Sequence, residues 1–306
     1  MRPEISTLLA RLSELGYRFT AVTPETHALV LGRDATRTAR SLRDVFGWNL
    51  PFSPDALPTG IFELIQRAEA CEHLSTGNWR ATLRVASVEH FLFVHSAFPT
   101  LARDAVFFGP DSYRFARAVR RLGSSARRAV DVGCGSGVGG VVLSHYGSLG
   151  SPVVLCDIND RALAFASVNA GLAGIPAEIV KSDVLRAVNG AVDLIIANPP
   201  YLVDATARAY RDGGGDHGAE LSARIVKESL ERLSRDGGGS LLLYTGSAII
   251  DGTDSLRQLI EDDLRQSKAR YLYEELDPDV FGSELLEPAY KDVDRIAVVL
   301  LQASVG

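Results

Sequence analysis

The chain has 306 residues, 46% hydrophobic and 23% charged, with a formal net charge of -6 at pH 7; these are the proportions of a soluble globular protein of one large or two modest domains. No apolar run is long enough to cross a membrane, the opening Met1-Arg2-Pro3-Glu4 lacks the apolar core of a signal peptide, and the acidic balance argues against gripping nucleic acid through overall charge. Cys71, Cys134 and Cys156 form neither a paired disulfide framework nor a CxxC metal site, so a cytoplasmic protein without a metal or membrane partner is expected.

Ile5, Leu8, Leu9, Leu12 and Leu15 recur at helical spacing up to Gly16, which predicts a first helix. A second is expected from Asp34, as its N-cap, to Phe46, and a third from Thr59 to Leu74. The period then changes to two. Trp79 to Val85 and Val88 to His95 read as strands joined by a turn at Ala86-Ser87. Helices followed by a hairpin make residues 1–104 a small α+β domain, and residues 105–306 a second one. His90 and His95, five apart, would face opposite sides of a strand and so hold no common metal.

Pro110-Asp111 reads as a helix start. From residue 128 onward the chain alternates strand and helix, the pattern of a parallel sheet. Strands are expected at 128–132, 152–156, 177–181, 192–197, 240–244, 271–275 and 295–301. Helices are expected over Val138–Tyr146, from Asp160 as cap to Ala173, from Ala219 to Leu233, and from Asp254 to Gln266.

Two stretches stand at strand ends. Asp131-Val132-Gly133-Cys134-Gly135-Ser136-Gly137 is a strand, a glycine turn and a helix start, where the free N–H groups of the helix face any bound ligand. Asn198-Pro199-Pro200-Tyr201 follows a buried apolar run and stops it, because proline cannot continue a ladder. Both lie at carboxyl ends of strands, the rim where open α/β sheets bind ligands. Gly135 to Gly140 also fits the dinucleotide pattern G-x-G-x-x-G. Asp131 before the glycines and Asp183 after the third strand favour a different cofactor.

The first motif resembles motif I of class I S-adenosylmethionine (AdoMet) methyltransferases, and the second is similar to motif IV of enzymes that methylate planar amide or exocyclic amino nitrogens. Within that group the chain looks most like the HemK/PrmC protein-glutamine methyltransferases and the "small domain" RNA methyltransferases, over roughly residues 105–303. The resemblance implies a Rossmann-like, seven-stranded class I fold and AdoMet as cofactor. It implies cofactor contacts from Asp131, Gly133, Gly135, Gly137, Asp157, Ile158, Asp183, Val184 and Asn198. It makes Asn198, Pro199 and Tyr201 catalytic, with Asn198, Pro200 and Tyr201 holding the acceptor. HemK/PrmC enzymes usually carry an Arg-Pro-x-Thr-Glu pattern in the segment that here runs from Val106 to Phe115, and this chain does not, a departure that bears on their release-factor substrate. The leading acceptor is a protein glutamine, with adenine N6 or guanine N2 in rRNA or tRNA, or a small molecule, as the alternatives, and residues 1–104 are expected to select it.

These residue types suit that chemistry. A buried carboxylate needs a cation, and Asp131 can take the cofactor's α-amino group. Asp157, at the next strand end, can accept from ribose hydroxyls. An amide or aniline-type nitrogen is a poor nucleophile because its lone pair is delocalised. Accepting its two N–H bonds at the Asn198 side-chain oxygen and the Pro199 carbonyl draws it toward tetrahedral geometry. Tyr201 is expected to stack on the acceptor through its ring face, its hydroxyl playing no part. His217, in the following loop, is expected to face solvent.

Overall fold

The computed structural model describes residues 3–34, 36–122 and 124–306. Helix α1 (Pro3–Glu14) buries Ile5, Leu8, Leu9 and Leu12 on one side as their spacing requires. Helix α2 (Pro24–Gly32) was not anticipated; the Thr23 hydroxyl caps it by accepting from the Thr26 N–H. The helix expected over 34–46 shrinks to α3 (Leu42–Phe46), capped by Ser41. Asp34 instead accepts from the N–H and hydroxyl of Thr36, a local turn that competes with helix; Ala35 lies outside the described residues. Helix α4 (Ile61–Arg67) also ends early. Glu69 takes a left-handed φ of 51°, and the chain enters β1 (Cys71–His73), which pairs with β2 (Trp79–Ala81). Strands β3 (Leu83–Val88) and β4 (Phe91–Ser96) turn at Glu89-His90, three residues later than expected. Ala86 pairs with Phe93 inside the ladder, and Glu89 supplies the positive φ that the turn needs. His90 is thus a turn residue, and of the two histidines His95 alone sits in a strand.

The second half follows the expected alternation. Helix α5 (Pro110–Leu122) precedes β5 (Ala129–Val132), α6 (Val138–Tyr146), β6 (Val153–Asp157), α7 (Asp160–Leu172), β7 (Ala177–Lys181) and β8 (Leu194–Ala197). Then come α8 (Glu220–Arg232), β9 (Ser240–Ile250), α9 (Ser255–Gln266), β10 (Arg270–Asp277) and β11 (Arg295–Ser304). Asn159, not Asp160, caps α7, accepting from the Arg161 N–H. The seven strands lie in the order β10-β11-β9-β8-β5-β6-β7, with a two-residue strand at 253–254 beside β9. Strands β5 to β9 pair in parallel, while β11 runs antiparallel to both its neighbours. The Rossmann-like class I architecture is therefore present. Its chain order reverses between β5 and β8, the point where such sheets open a ligand crevice.

Side-chain alternation assigns each strand residue a face. Val130, Val154, Ile195 and Leu243 pack with Ile225 of α8 and Ile260 of α9. Leu155, Ile196, Leu242 and Val298 belong to the opposite core, shared with α5, α6 and α7. That second core continues without a break into α1 and the β3–β4 hairpin. The seam is polar at one point. Asn169 of α7, fully buried, accepts from the Val94 N–H at 2.9 Å and donates to the Val94 and Ser136 carbonyls. One side chain so joins the hairpin, α7 and the glycine turn.

Candidate active site

A cleft of about 410 Å³ opens above the carboxyl ends of β5, β6 and β8. At its floor Asp131 is 1% exposed, on the face of β5 toward α6, where its Oδ2 accepts from the Gly140 N–H at 2.7 Å. Asp157 ends β6; its Oδ2 accepts from the Gly135 N–H at 3.0 Å and its Oδ1 from the Asn159 N–H at 2.9 Å. The second carboxylate thus holds the glycine turn in shape. Gly135 has a φ of +54°, and a Cβ there would project into open space. The turn is a cradle that a side chain would fill. Of the residues expected to bind cofactor, Gly137 does not line the cleft. It is the left-handed N-cap of α6, its missing Cβ 3.2 Å from that of Ala166.

Burial drives the Asp131 carboxyl up to about 7, with the Gly140 N–H opposing and the Asp157 charge reinforcing the rise. Such a group binds a cation only when ionised, so a ligand's ammonium is held better as pH rises through that value. Affinity for an amine-bearing cofactor is expected to grow severalfold between about pH 5.5 and 7, with proton release, and Asp131→Asn is expected to flatten the profile in calorimetry.

On the facing wall Asn198, Pro199, Pro200 and Tyr201 all line the cleft. Tyr201 is not the free ring that its motif suggested. It is 7% exposed, and a Cβ on Gly246 of β9 would sit 2.1 Å from its ring. Its hydroxyl donates to Asp111 Oδ2 of α5, while Asp111 Oδ1 accepts from Tyr244 at 2.8 Å and from Arg114 at 3.2 Å. The hydroxyl therefore has a structural duty. Tyr201→Phe is expected to cost about 1.5–3 kcal/mol, the range for a hydrogen bond to a charged group, as read from the urea midpoint at unchanged m-value.

Residues 116–249 match the family described as Methyltransferase small domain. A release factor glutamine methyltransferase from Borreliella burgdorferi is 29% identical over 123 residues, 36% of this chain and 42% of that protein. Ribosomal RNA small subunit methyltransferase C from Sodalis glossinidius is 38% identical over 71 residues, 23% of this chain and 20% of that one. The chain thus spans less than half the length of these curated relatives. The solved structure of M. jannaschii TYW2 in complex with AdoMet aligns with a TM-score of 0.50 at 13% identity, over 73% of this chain and 85% of that one, a likeness of fold. Residues 116–249 thus carry the signature of a methyltransferase family on a class I fold.

The cradle suits AdoMet: an open glycine turn, a buried carboxylate with a lone pair to spare, and a second carboxylate at the next strand end. Ile158, 61% exposed, offers an apolar edge in the cleft. Val184 lines it as well, with a left-handed φ of 49°. Asp183 is already engaged, its oxygens 2.6 Å from Arg224 and 2.8 Å from Arg186. Arg224 belongs to α8 and had no signal in the sequence.

Other parts of the domain's cleft were equally silent. Asp111 was legible only as a helix start. Phe107 and Tyr210 stack with centroids 5.4 Å apart, and Phe281 meets the edge of Tyr201 at 5.9 Å. Tyr210 belongs to the segment after the proline pair, which Asp204 and Arg208 brace through contacts of 2.7 and 2.8 Å. The glycines of that segment fold back on the clamp: a Cβ on Gly218 would meet the Tyr201 carbonyl at 2.4 Å. His217 does not line the cleft; its Nε2 lies 3.1 Å from Asp292.

Proposed function

We propose that this protein transfers the methyl group of AdoMet to a planar amide or amino nitrogen, with the side-chain amide of a protein glutamine as its leading acceptor. The observation that supports this reading most is the juxtaposition of Asn198-Pro199-Pro200-Tyr201 and the glycine turn in one cleft, on adjacent strands β8 and β5. Bound AdoMet supplies an electrophilic methyl on a sulfonium. The protein's part is to present the nitrogen. The Asn198 side-chain oxygen and the Pro199 carbonyl accept its N–H bonds, localising the lone pair toward the methyl. The two prolines keep that carbonyl from turning away. No strong base is needed, because the nitrogen's proton becomes acidic once it is alkylated.

In this reading Asp131, Asp157, Ile158, Asp183 and Val184 hold the cofactor, with Gly133 and Gly135 letting it approach the backbone. Residues 1–104 select the acceptor, a role supported by Pro24 and Glu25 of α2, which reach the mouth of the cleft. A base nitrogen in RNA, adenine N6 or guanine N2, is the second reading, favoured by the similarity to the ribosomal RNA methyltransferase. We place the reaction in the cytoplasm; among the described residues no helix is long and apolar enough to cross a membrane.

Tritiated AdoMet incubated with lysate separated into protein, RNA and metabolite pools tests the acceptor. Label in protein that is released as N-methylglutamine supports the leading reading. Label confined to RNA replaces it with the second, and label in neither macromolecule removes both.

A further inference from the structure

Three basic side chains meet inside the N-terminal half. Arg84 and His95 are directly paired across the β3–β4 hairpin, so they lie side by side on one face. His27 approaches from α2. Its Nε2 donates to the Trp48 carbonyl at 3.0 Å, and Arg84 Nε donates to the neighbouring Gly47 carbonyl at 2.8 Å. Arg84 is 4% exposed, His27 and His95 1% each. Phe19, Phe98 and Phe108 lie against them.

The polar atoms of this group are not matched by the protein around it. Arg84 Nη2, His27 Nδ1 and both ring nitrogens of His95 have no hydrogen-bond partner among the described residues. The Ser96 backbone approaches the His95 ring outside hydrogen-bonding geometry. The groups of opposite charge type acting on Arg84 are Tyr17 and Tyr113. Both are phenols that burial holds protonated, Tyr113 pushed up to about 12 and Tyr17 higher. Burial lowers Arg84 to about 10, so the guanidinium is still charged at neutral pH. An unpaired buried charge is costly, and folded proteins supply a counter-charge.

We propose that the unpartnered nitrogens of Arg84, His95 and His27 bind a small monovalent anion, a halide or a compact oxyanion, that neutralises Arg84. Arg84 Nη2 and an N–H of His95 donate to it. His27, with Nε2 committed to Trp48, presents Nδ1 as an acceptor in its neutral ring, which suits an oxyanion that carries an O–H, such as hydrogencarbonate. The site sets the seat of α2, whose first residues line the cleft, and is independent of the methyl acceptor.

Crystals of the full chain soaked in sodium bromide, with diffraction collected at the bromine edge, are expected to show an anomalous peak between Arg84 and His95 that Arg84→Met removes. At constant ionic strength, replacing gluconate by bromide or hydrogencarbonate is expected to raise the thermal midpoint by about 2–4 °C and then saturate. Arg84→Met is expected to be insensitive, and Arg43→Met, at an exposed position of α3, to respond like the native protein. The stronger of the two anions tells halide from oxyanion. Should Arg84→Met fail to fold, the soak and titrations of the native protein decide alone. Water in the site under both salts, with a midpoint indifferent to anion identity, overturns the proposal.

Discussion

Asn198→Ala is expected to lower kcat by about a hundredfold or more, the size of effect seen when one preorganised polar group is lost at a reacting centre. Its contribution should grow as the acceptor nitrogen becomes tetrahedral, so the loss appears in kcat more than in KM. AdoMet affinity is expected to change little, because the carboxylates and the glycine turn that suit the cofactor lie on β5 and β6. Tyr201→Ala should differ from this pattern: it removes a wall of the cleft and also leaves Asp111 with one partner fewer. Single-turnover and steady-state kinetics with the acceptor found in lysate distinguish the two. A fully active Asn198→Ala enzyme makes the proline pair a mere strand stop and points to an acceptor that is already nucleophilic.

Deletion of residues 1–104 is expected to prevent cooperative folding of the remainder. The segment can be delimited in sequence, yet its packing belongs to the core that covers one face of the sheet. Its removal bares the side of α7 that meets β4 and strands Asn169, whose three hydrogen bonds include two to Val94. Each large apolar side chain left exposed forfeits about 1.5–3 kcal/mol. Domains have roughly 5–15 kcal/mol in all. The truncated chain should therefore melt without a sharp transition and bind hydrophobic dyes, as circular dichroism and fluorescence will show. A sharp transition with near-native AdoMet affinity would instead make residues 105–306 an autonomous unit.

The parts of the site that were legible in sequence are those where local chemistry and function coincide. Glycines with positive φ, a carboxylate ending an apolar run and a proline pair each leave a local trace, so Asp131, Gly135, Asp157 and Asn198 could be placed together in advance. Asp111, Arg224 and Phe281 could not. Their roles arise from partners far along the chain, Tyr201 and Tyr244 for Asp111 and Asp183 for Arg224. The N-terminal boundaries slipped for a related reason. At Asp34 a side chain-to-backbone turn overrode the apolar period, and at Ala86 an alternating ladder ran on through a residue that merely looked like a turn.

Strand β11 has a consequence for how the protein is made. It lies between β9 and β10 and pairs with β9 over ten residues, from Ser240–Ser304 to Ile249–Arg295. While the nascent chain emerges from the ribosome, β5 to β9 can assemble, but β9 then shows a long bare edge that includes Leu241, Leu243 and Tyr244. Strand β10 has no place in the sheet until β11 arrives to carry it. The sheet is completed only after synthesis has passed Ser304, and its unpaired edge is in the meantime a template for association with other chains. Yield in a cell should accordingly depend on chaperone supply and growth temperature, and substitutions in β11 should reduce soluble protein more than equally buried ones in β7.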